Sequence, residues 1–134
     1  MKIFFLILAV FVGVDILMVG YVFFRRRKKK ISQAQVEEIK NTWRKIIRQT
    51  DMRHAILDAD KLLDHALFLK GYRGSLGNKL KKAAPLFKKN INKVWAAHKV
   101  RNNIAHQINY QIDEKTYKEA MTSFKQAFID LKIF

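Results

Sequence analysis

The chain has 134 residues, with 27 Lys or Arg against 11 Asp or Glu, for a formal net charge of +16. It contains no cysteine, which excludes disulfide and thiolate chemistry and fits a reducing compartment. One proline and five glycines are too few turn residues for a sheet-rich fold and suit long helices.

Ile3 to Phe24 form an apolar run of 22 residues with one ionisable member, Asp15. About 20 apolar residues at helical rise cross a bilayer core, so residues 3–24 are predicted to be a transmembrane helix. Lys2 precedes the run and Arg25-Arg26-Arg27-Lys28-Lys29-Lys30 follows it. The positive-inside tendency then puts the amino terminus outside and the following domain in the cytoplasm, on a single-pass chain of the inner, cytoplasmic membrane. A cleaved signal peptide fits less well. Its apolar core would be about 7–15 residues, with basic residues before it and a small-residue cleavage site after it. Here the basic block lies on the far side and the exit reads Tyr21-Val22-Phe23-Phe24. Asp15 falls near mid-membrane, where a charge is costly. Either it meets a partner helix, making the chain a small subunit of a membrane complex, or it is a lone carboxyl tolerated in a strongly apolar span. The basic block sets topology and can also hold anionic lipid, at about 1 kcal/mol per basic residue.

Residues 31–134 form the expected second unit. They carry 20 basic and 10 acidic residues, so this part is basic in its own right and favours anionic partners: RNA, nucleotides or anionic headgroups. The first helix is predicted from Ser32 to Gln49. Ser32 and Gln35 have capping-box spacing, and Val36, Ile39, Trp43, Ile46 and Ile47 repeat at helical intervals. The second runs from about Asp51 to Lys70, with Ile56, Ala59, Leu63, Ala66 and Leu67 as its core stripe and Leu62 on the flank. Gly71, Gly74 and Gly77 follow, with Tyr72 and Arg73 between the first two. Three glycines at this spacing are either a phosphate-approaching loop, with Arg73 as a ligand, or a helix stop and turn. They do not form a Walker motif, since no Gly-Lys-Ser/Thr closes them.

A short helix is predicted from Asn78 to Ala84, stopped by Pro85. A long one follows from about Lys88 to Asn109, and a last one from the N-cap Asp113 to about Leu131. Tyr117, Ala120, Met121, Phe124, Ala127, Phe128 and Leu131 form the apolar face of this last helix. The expected fold is all-α: a transmembrane helix over residues 1–30, then an antiparallel helical bundle over 31–134.

Chemistry concentrates between Trp95 and His106. At about 100° per residue, Ala97, Val100, Ile104 and Ile108 form one ridge, expected to face the core, and His98, Asn102, His106 and Asn109 the opposite one. Arg101 lies between them. Imidazoles, amides and a guanidinium suit an anionic ligand. Arg grips phosphate through paired hydrogen bonds, His exchanges a proton near neutral pH, and His98 and Lys99 are candidate phosphate or nucleotide ligands. Arg101 and His106 are separated by about 140° on an ideal helix, so a symmetry-related second helix is one way to bring both onto one substrate. The alternative is structural: Arg101 pairs with Asp58, Asp60 or Asp64 and braces the bundle. The histidines His54, His65, His98 and His106 lack zinc-site spacing, so no metal or other cofactor is expected.

At Arg101, Asn102 and His106 the sequence resembles the HEPN superfamily, whose hallmark is an Arg followed after four to six residues by a His. Ala97-His98-Lys99-Val100 and Ala59-Asp60-Lys61-Leu62-Leu63-Asp64 look like small bacterial HEPN-like proteins with an N-terminal span. The resemblance covers residues 34–131. It implies a helical bundle, frequently a homodimer, with the motif at a cleft between protomers. Active members are metal-independent endoribonucleases. By that analogy His106 moves the proton of a ribose 2′-hydroxyl as it attacks the adjacent phosphate. Arg101 stabilises the phosphate charge, Asn102 positions groups around it, and a 2′,3′-cyclic phosphate results. Other members only bind RNA, nucleotides or partner proteins, so the resemblance leaves both a catalytic and a non-catalytic module open.

Overall fold

The computed structural model describes the backbone of residues 1–25 and 30–134. Most of the expected basic stop, residues 26–29, lies outside the described residues. Among those described there are six α-helices and no strand: α1 Lys2–Arg25, α2 Gln33–Ile46, α3 Met52–Leu69, α4 Leu76–Ala83, α5 Ile91–His106 and α6 Glu114–Asp130. A 3-10 helix, Ala84–Phe87, links α4 to α5.

Helix α1 stands apart in composition. Its segment Lys2–Tyr21 has a mean hydropathy of 2.8 and buries nothing against the rest of the chain. Twenty-four helical residues span about 36 Å, enough to cross a hydrocarbon core of about 30 Å.

The remaining helices start where local chemistry satisfies their free N–H groups. Ser32 and Gln35 close a reciprocal capping box on α2, with bonds of 3.2 and 3.0 Å. Asp51 accepts from the backbone N–H groups of Arg53 and His54 to start α3, and Asp113 accepts from that of Thr116 to start α6. The end of α3 is a Schellman turn: Tyr72 N–H bonds Leu67 O at 3.0 Å and Gly71 N–H bonds Phe68 O at 2.9 Å. Gly71 takes φ 96°, a conformation that costs glycine nothing. The same turn ends α6 with Lys132 at φ 58°, which folds Ile133 back into the core.

The three spaced glycines therefore do three structural jobs. Gly71 closes α3, Gly74 turns the chain at φ 101°, and Gly77 lies inside α4 beneath the Trp95 ring. Helix α4 begins two residues before the expected Asn78, because Ser75 caps it through the Asn78 N–H. The α-helix stops just before Pro85, as expected, and the chain continues as a 3-10 helix in whose first turn the missing N–H breaks no bond. The helix expected from Lys88 starts only at Ile91, because Lys88 turns the chain at φ 49° and the Asn90 side chain bonds Ser123 O on α6. It ends at His106, three residues short of the expected Asn109.

Helix α3 is the hub, packed against α2, α4, α5 and α6. Its whole predicted stripe is buried, together with Leu62. Trp43 and Phe128 pack edge to face at 5.4 Å, and the terminal Phe134 leans on both. Ile47, expected in the stripe of α2, is instead its half-exposed C-cap.

Candidate functional site

The pairing of α3 with α5 creates the polar centre of the domain. Asp60 sits beside the core residues Ala59 and Leu63 on α3, and only 3% of its surface is exposed. A carboxylate taken that far from water must be matched by donors. Helix α5 supplies them from positions three apart, which lie on one helical face. His98 Nδ1 meets Asp60 Oδ1 at 2.7 Å, and Arg101 Nε lies 3.2 Å from Asp60 Oδ2.

The two contacts differ in kind. The His98 contact has hydrogen-bond geometry, and its ring is mostly buried. The Arg101 contact is within ion-pair distance, yet Nε is not aligned to donate to any acceptor. Over a third of the Arg101 side chain is exposed, and its Nη1 donates to Asn102 Oδ1 at 3.0 Å. The first contact fixes the ring; the second mainly balances charge.

The imidazole orientation has a chemical consequence. With Nδ1 committed to a carboxylate, the other ring nitrogen is the one left for chemistry or binding. His98 lines an open groove with Asn92, Trp95, Ala96, Lys99 and Asn102. The Trp95 ring meets His98 edge to face at 6.0 Å. Imidazole, ammonium and two amides thus converge on one depression, with a guanidinium behind Asn102. Such a donor set suits an anion with further hydrogen-bonding groups.

Of the residues singled out from sequence, His98, Arg101 and Asn102 come together, and Lys99 is exposed on the groove rim. His106 does not join them. It is the last residue of α5, is exposed, and its side chain makes no hydrogen bond or ion pair among the described residues. Arg73 is engaged elsewhere: its Nη1 donates to Phe68 O at 2.8 Å and Tyr72 O at 3.2 Å, and its guanidinium lies 4.1 Å from the Phe68 ring centre. It caps the end of α3.

The expected core ridge of α5 is rotated. Val94, Ala97 and Ile104 are its buried residues, Val100 is half-buried, and Ile108 lies beyond the helix end at 96% exposure. Arg101 continues the stripe Val94, Ala97, Ile104 at spacings of three and four, so it occupies a core-facing position. That rotation carries His98 from the expected outer ridge to the α3 contact. Asp60 is the residue whose importance was least legible. On an ideal helix it lies about 70° from the centre of the α3 stripe, closer than Asp58 or Asp64, and that angle was the available signal. The two other carboxylates do take partners on neighbouring segments: Asp64 holds the buried Lys79 at 2.8 Å, and Asp58 accepts from Gln49 at 2.8 Å.

No family model, curated protein or solved structure matches this chain.

Proposed function

We propose that this chain is a membrane-tethered, HEPN-like helical domain that binds a phosphate-bearing ligand, RNA or a nucleotide, in the α5 groove at the cytoplasmic membrane face. The observation that carries the reading is the buried Asp60. It holds His98 and Arg101 beside a groove lined by Lys99 and Asn102. Beside that pairing, the groove presents an imidazole, an ammonium and two amides and no carboxylate, a lining that suits an anion. The apolar helix α1 supports the tether, and the position of the Arg101 motif on a late helix is what the HEPN resemblance implies.

The test uses the full chain in neutral lipid nanodiscs with labelled oligoribonucleotide, and separately with labelled ATP. Binding is expected at low salt, weakening as salt rises because phosphate contacts release counterions. Lys99→Ala and Asn102→Ala should each weaken it about 10- to 150-fold, the range for losing one hydrogen bond to a charged group. No binding of either ligand at low salt would remove the proposal.

A metal-independent endoribonuclease is the second reading. The feature favouring it is His106, exposed at the end of α5 and free to meet another chain. No contact within one chain joins it to Arg101, so this chemistry needs a homodimer. RNA cleavage in EDTA by the wild type, lost in His106→Ala, would support it; equal cleavage by both would exclude His106 from the reaction.

A further inference from the structure

The charge of the domain is segregated along the chain. Residues 31–64 hold six Lys/Arg and six Asp/Glu, and residues 113–134 hold four of each. Residues 65–112 hold ten Lys/Arg and no Asp/Glu. The entire net charge of the domain thus lies between the end of α3 and the loop after α5.

Among those cations, Lys79 and Arg101 are matched by carboxylates of α3. Lys79 is 4% exposed and bonded to Asp64, and Arg101 faces Asp60. The lysines of the α4–α5 connection are not. Lys81, Lys82, Lys88, Lys89 and Lys93 are all exposed and make no ion pair among the described residues. Lys81 and Lys82 end α4, Lys88 and Lys89 follow the 3-10 helix, and Lys93 lies in the first turn of α5. Between the pairs, Pro85 is exposed and Leu86 half-buried.

We infer that this edge, the end of α4 with the 3-10 helix and the start of α5, docks on an anionic bilayer surface, the one in which α1 is anchored. The inference rests on the reading of α1 as a membrane span. Three observations choose the bilayer over RNA for this edge. First, only seven residues separate α1 from α2, which reach at most about 25 Å fully extended. A domain of about 100 residues has a radius of gyration near 13 Å, so its surface never leaves the neighbourhood of the headgroups. Second, the basic block of residues 25–30 directly follows the span in sequence. Beside a neutral bilayer it would repel the basic domain it tethers, whereas anionic headgroups neutralise both. Third, single-stranded nucleic acid is held by cations together with aromatic rings on which bases stack. The one aromatic residue from 81 to 93 is Phe87, and it is fully buried. Lysines flanking Pro85 and Leu86 offer charge and a small apolar tip, which suits headgroups. Each basic residue near an anionic leaflet strengthens attachment by about fivefold, so the edge acts through its sum.

The experiment uses the full chain. Because it contains no cysteine, a single dye can be placed by Asn92→Cys, at the start of α5, or by Asn41→Cys, on the charge-balanced α2; both positions are exposed. The labelled chains are reconstituted into nanodiscs of phosphatidylcholine, with or without phosphatidylglycerol, containing a headgroup-attached quencher. Phosphatidylglycerol should raise quenching at position 92 at least about twofold and much less at position 41, and salt should reverse it. The fourfold variant Lys81→Glu, Lys82→Glu, Lys88→Glu, Lys89→Glu should abolish the difference. Equal quenching in both lipids, an equal rise at both positions, or a rise that survives the charge reversal overturns the inference. So does protection of position 92 by single-stranded RNA on neutral discs that the fourfold variant abolishes and Lys99→Ala leaves intact, without any response to phosphatidylglycerol; because Asn92 also lines the α5 groove, only that pattern would give the edge to RNA. A chain that fails to co-elute with either disc sinks the anchor itself, whereas co-elution with equal quenching sinks the docking alone.

Discussion

Replacing Asp60 by alanine tests whether the polar centre is held mainly by His98 or by Arg101. Losing the Asp60–His98 bond removes a hydrogen bond to a charged group, worth about 1.5–3 kcal/mol, and leaves Nδ1 of a mostly buried ring without its acceptor. The Arg101 contribution is smaller. Its side chain is 36% exposed and its Nε is not aligned on the carboxylate, so the guanidinium can turn toward water, and a surface-like value of about 0–1 kcal/mol applies. Asp60→Ala is therefore expected to cost about 3 kcal/mol, a fall in Tm of roughly 12–24 °C for a domain of this size. The assay is urea and thermal unfolding followed by far-ultraviolet circular dichroism in micelles, where α1 contributes a constant helical baseline. Double-mutant cycles then divide the loss. Asp60→Ala with His98→Ala should show a coupling of about 1.5 kcal/mol or more, and Asp60→Ala with Arg101→Ala less than about 1 kcal/mol. A larger coupling to Arg101, or an Asp60→Ala protein within about 0.5 kcal/mol of the wild type, would refute the assignment of His98 as the principal partner.

The glycines and the helix caps give two further tests. Gly74→Ala puts a side chain at φ 101° with its Cβ 3.3 Å from Asn78 Cβ and should cost about 1–2 kcal/mol in urea unfolding. Gly77→Ala meets Trp95 at an ordinary 3.4 Å inside a helix and should be neutral or up to about 1 kcal/mol more stable; equal losses at both sites would contradict these roles. Two helix N-caps titrate. The Asp51 carboxyl is held below the ordinary value of 3.8 by its side-chain bond to His54 and then by the His54 N–H; the Thr116 side chain and then its N–H do the same for Asp113. A carboxyl depressed in the folded state contributes stability that is present above the unfolded value and is lost as pH falls through the folded one. The urea midpoint should therefore drop as pH goes below about 3.8, and Asp51→Asn with Asp113→Asn should flatten that drop; an unchanged drop in the double variant would exclude the caps as its source.

Three helix starts were legible because their causes are local, although the equally local Ser75 cap of α4 lay two residues ahead of the expected start. Ser32 with Gln35, Asp51 and Asp113 each satisfy free N–H groups within three residues, and all three act as caps. The stripe of α3 was legible because five apolar residues over three turns leave one way to face inward. The ends of α5 were less so. Its start depends on the Asn90 bond to Ser123, a partner 33 residues away. Its orientation depends on His98 and Arg101, which an apolar count assigns to the outer ridge and the flank, whereas Asp60 on α3 draws both toward it. Long-range pairing of this kind leaves only an angular trace in one helix and gains meaning when the other is placed against it. His106 was singled out by its place on the polar ridge and its spacing from Arg101, and spacing along a chain says little about meeting within it.

The rotation of α5 also decides how its residues can be separated by experiment. One helix carries three sectors with different duties. Val94, Ala97 and Ile104 pack the core, and Arg101 follows the same sector. His98 reaches α3 from its edge, and Asn102 engages Arg101. Lys99 is exposed on the side away from the core stripe, and Lys93 is exposed at the mouth of the α5–α6 seam. Substituting Arg101 alters its contacts with both Asp60 and Asn102, and a lost activity in that variant would say little about phosphate contact. Lys99 and Asn102 line the groove without holding the helix to α3. They can report on the ligand with the fold intact, and Lys93 can report on the basic edge in the same way. A loss of ligand binding in Lys99→Ala at unchanged unfolding midpoint would place the ligand on the groove, independently of whatever Asp60 and Arg101 contribute to stability.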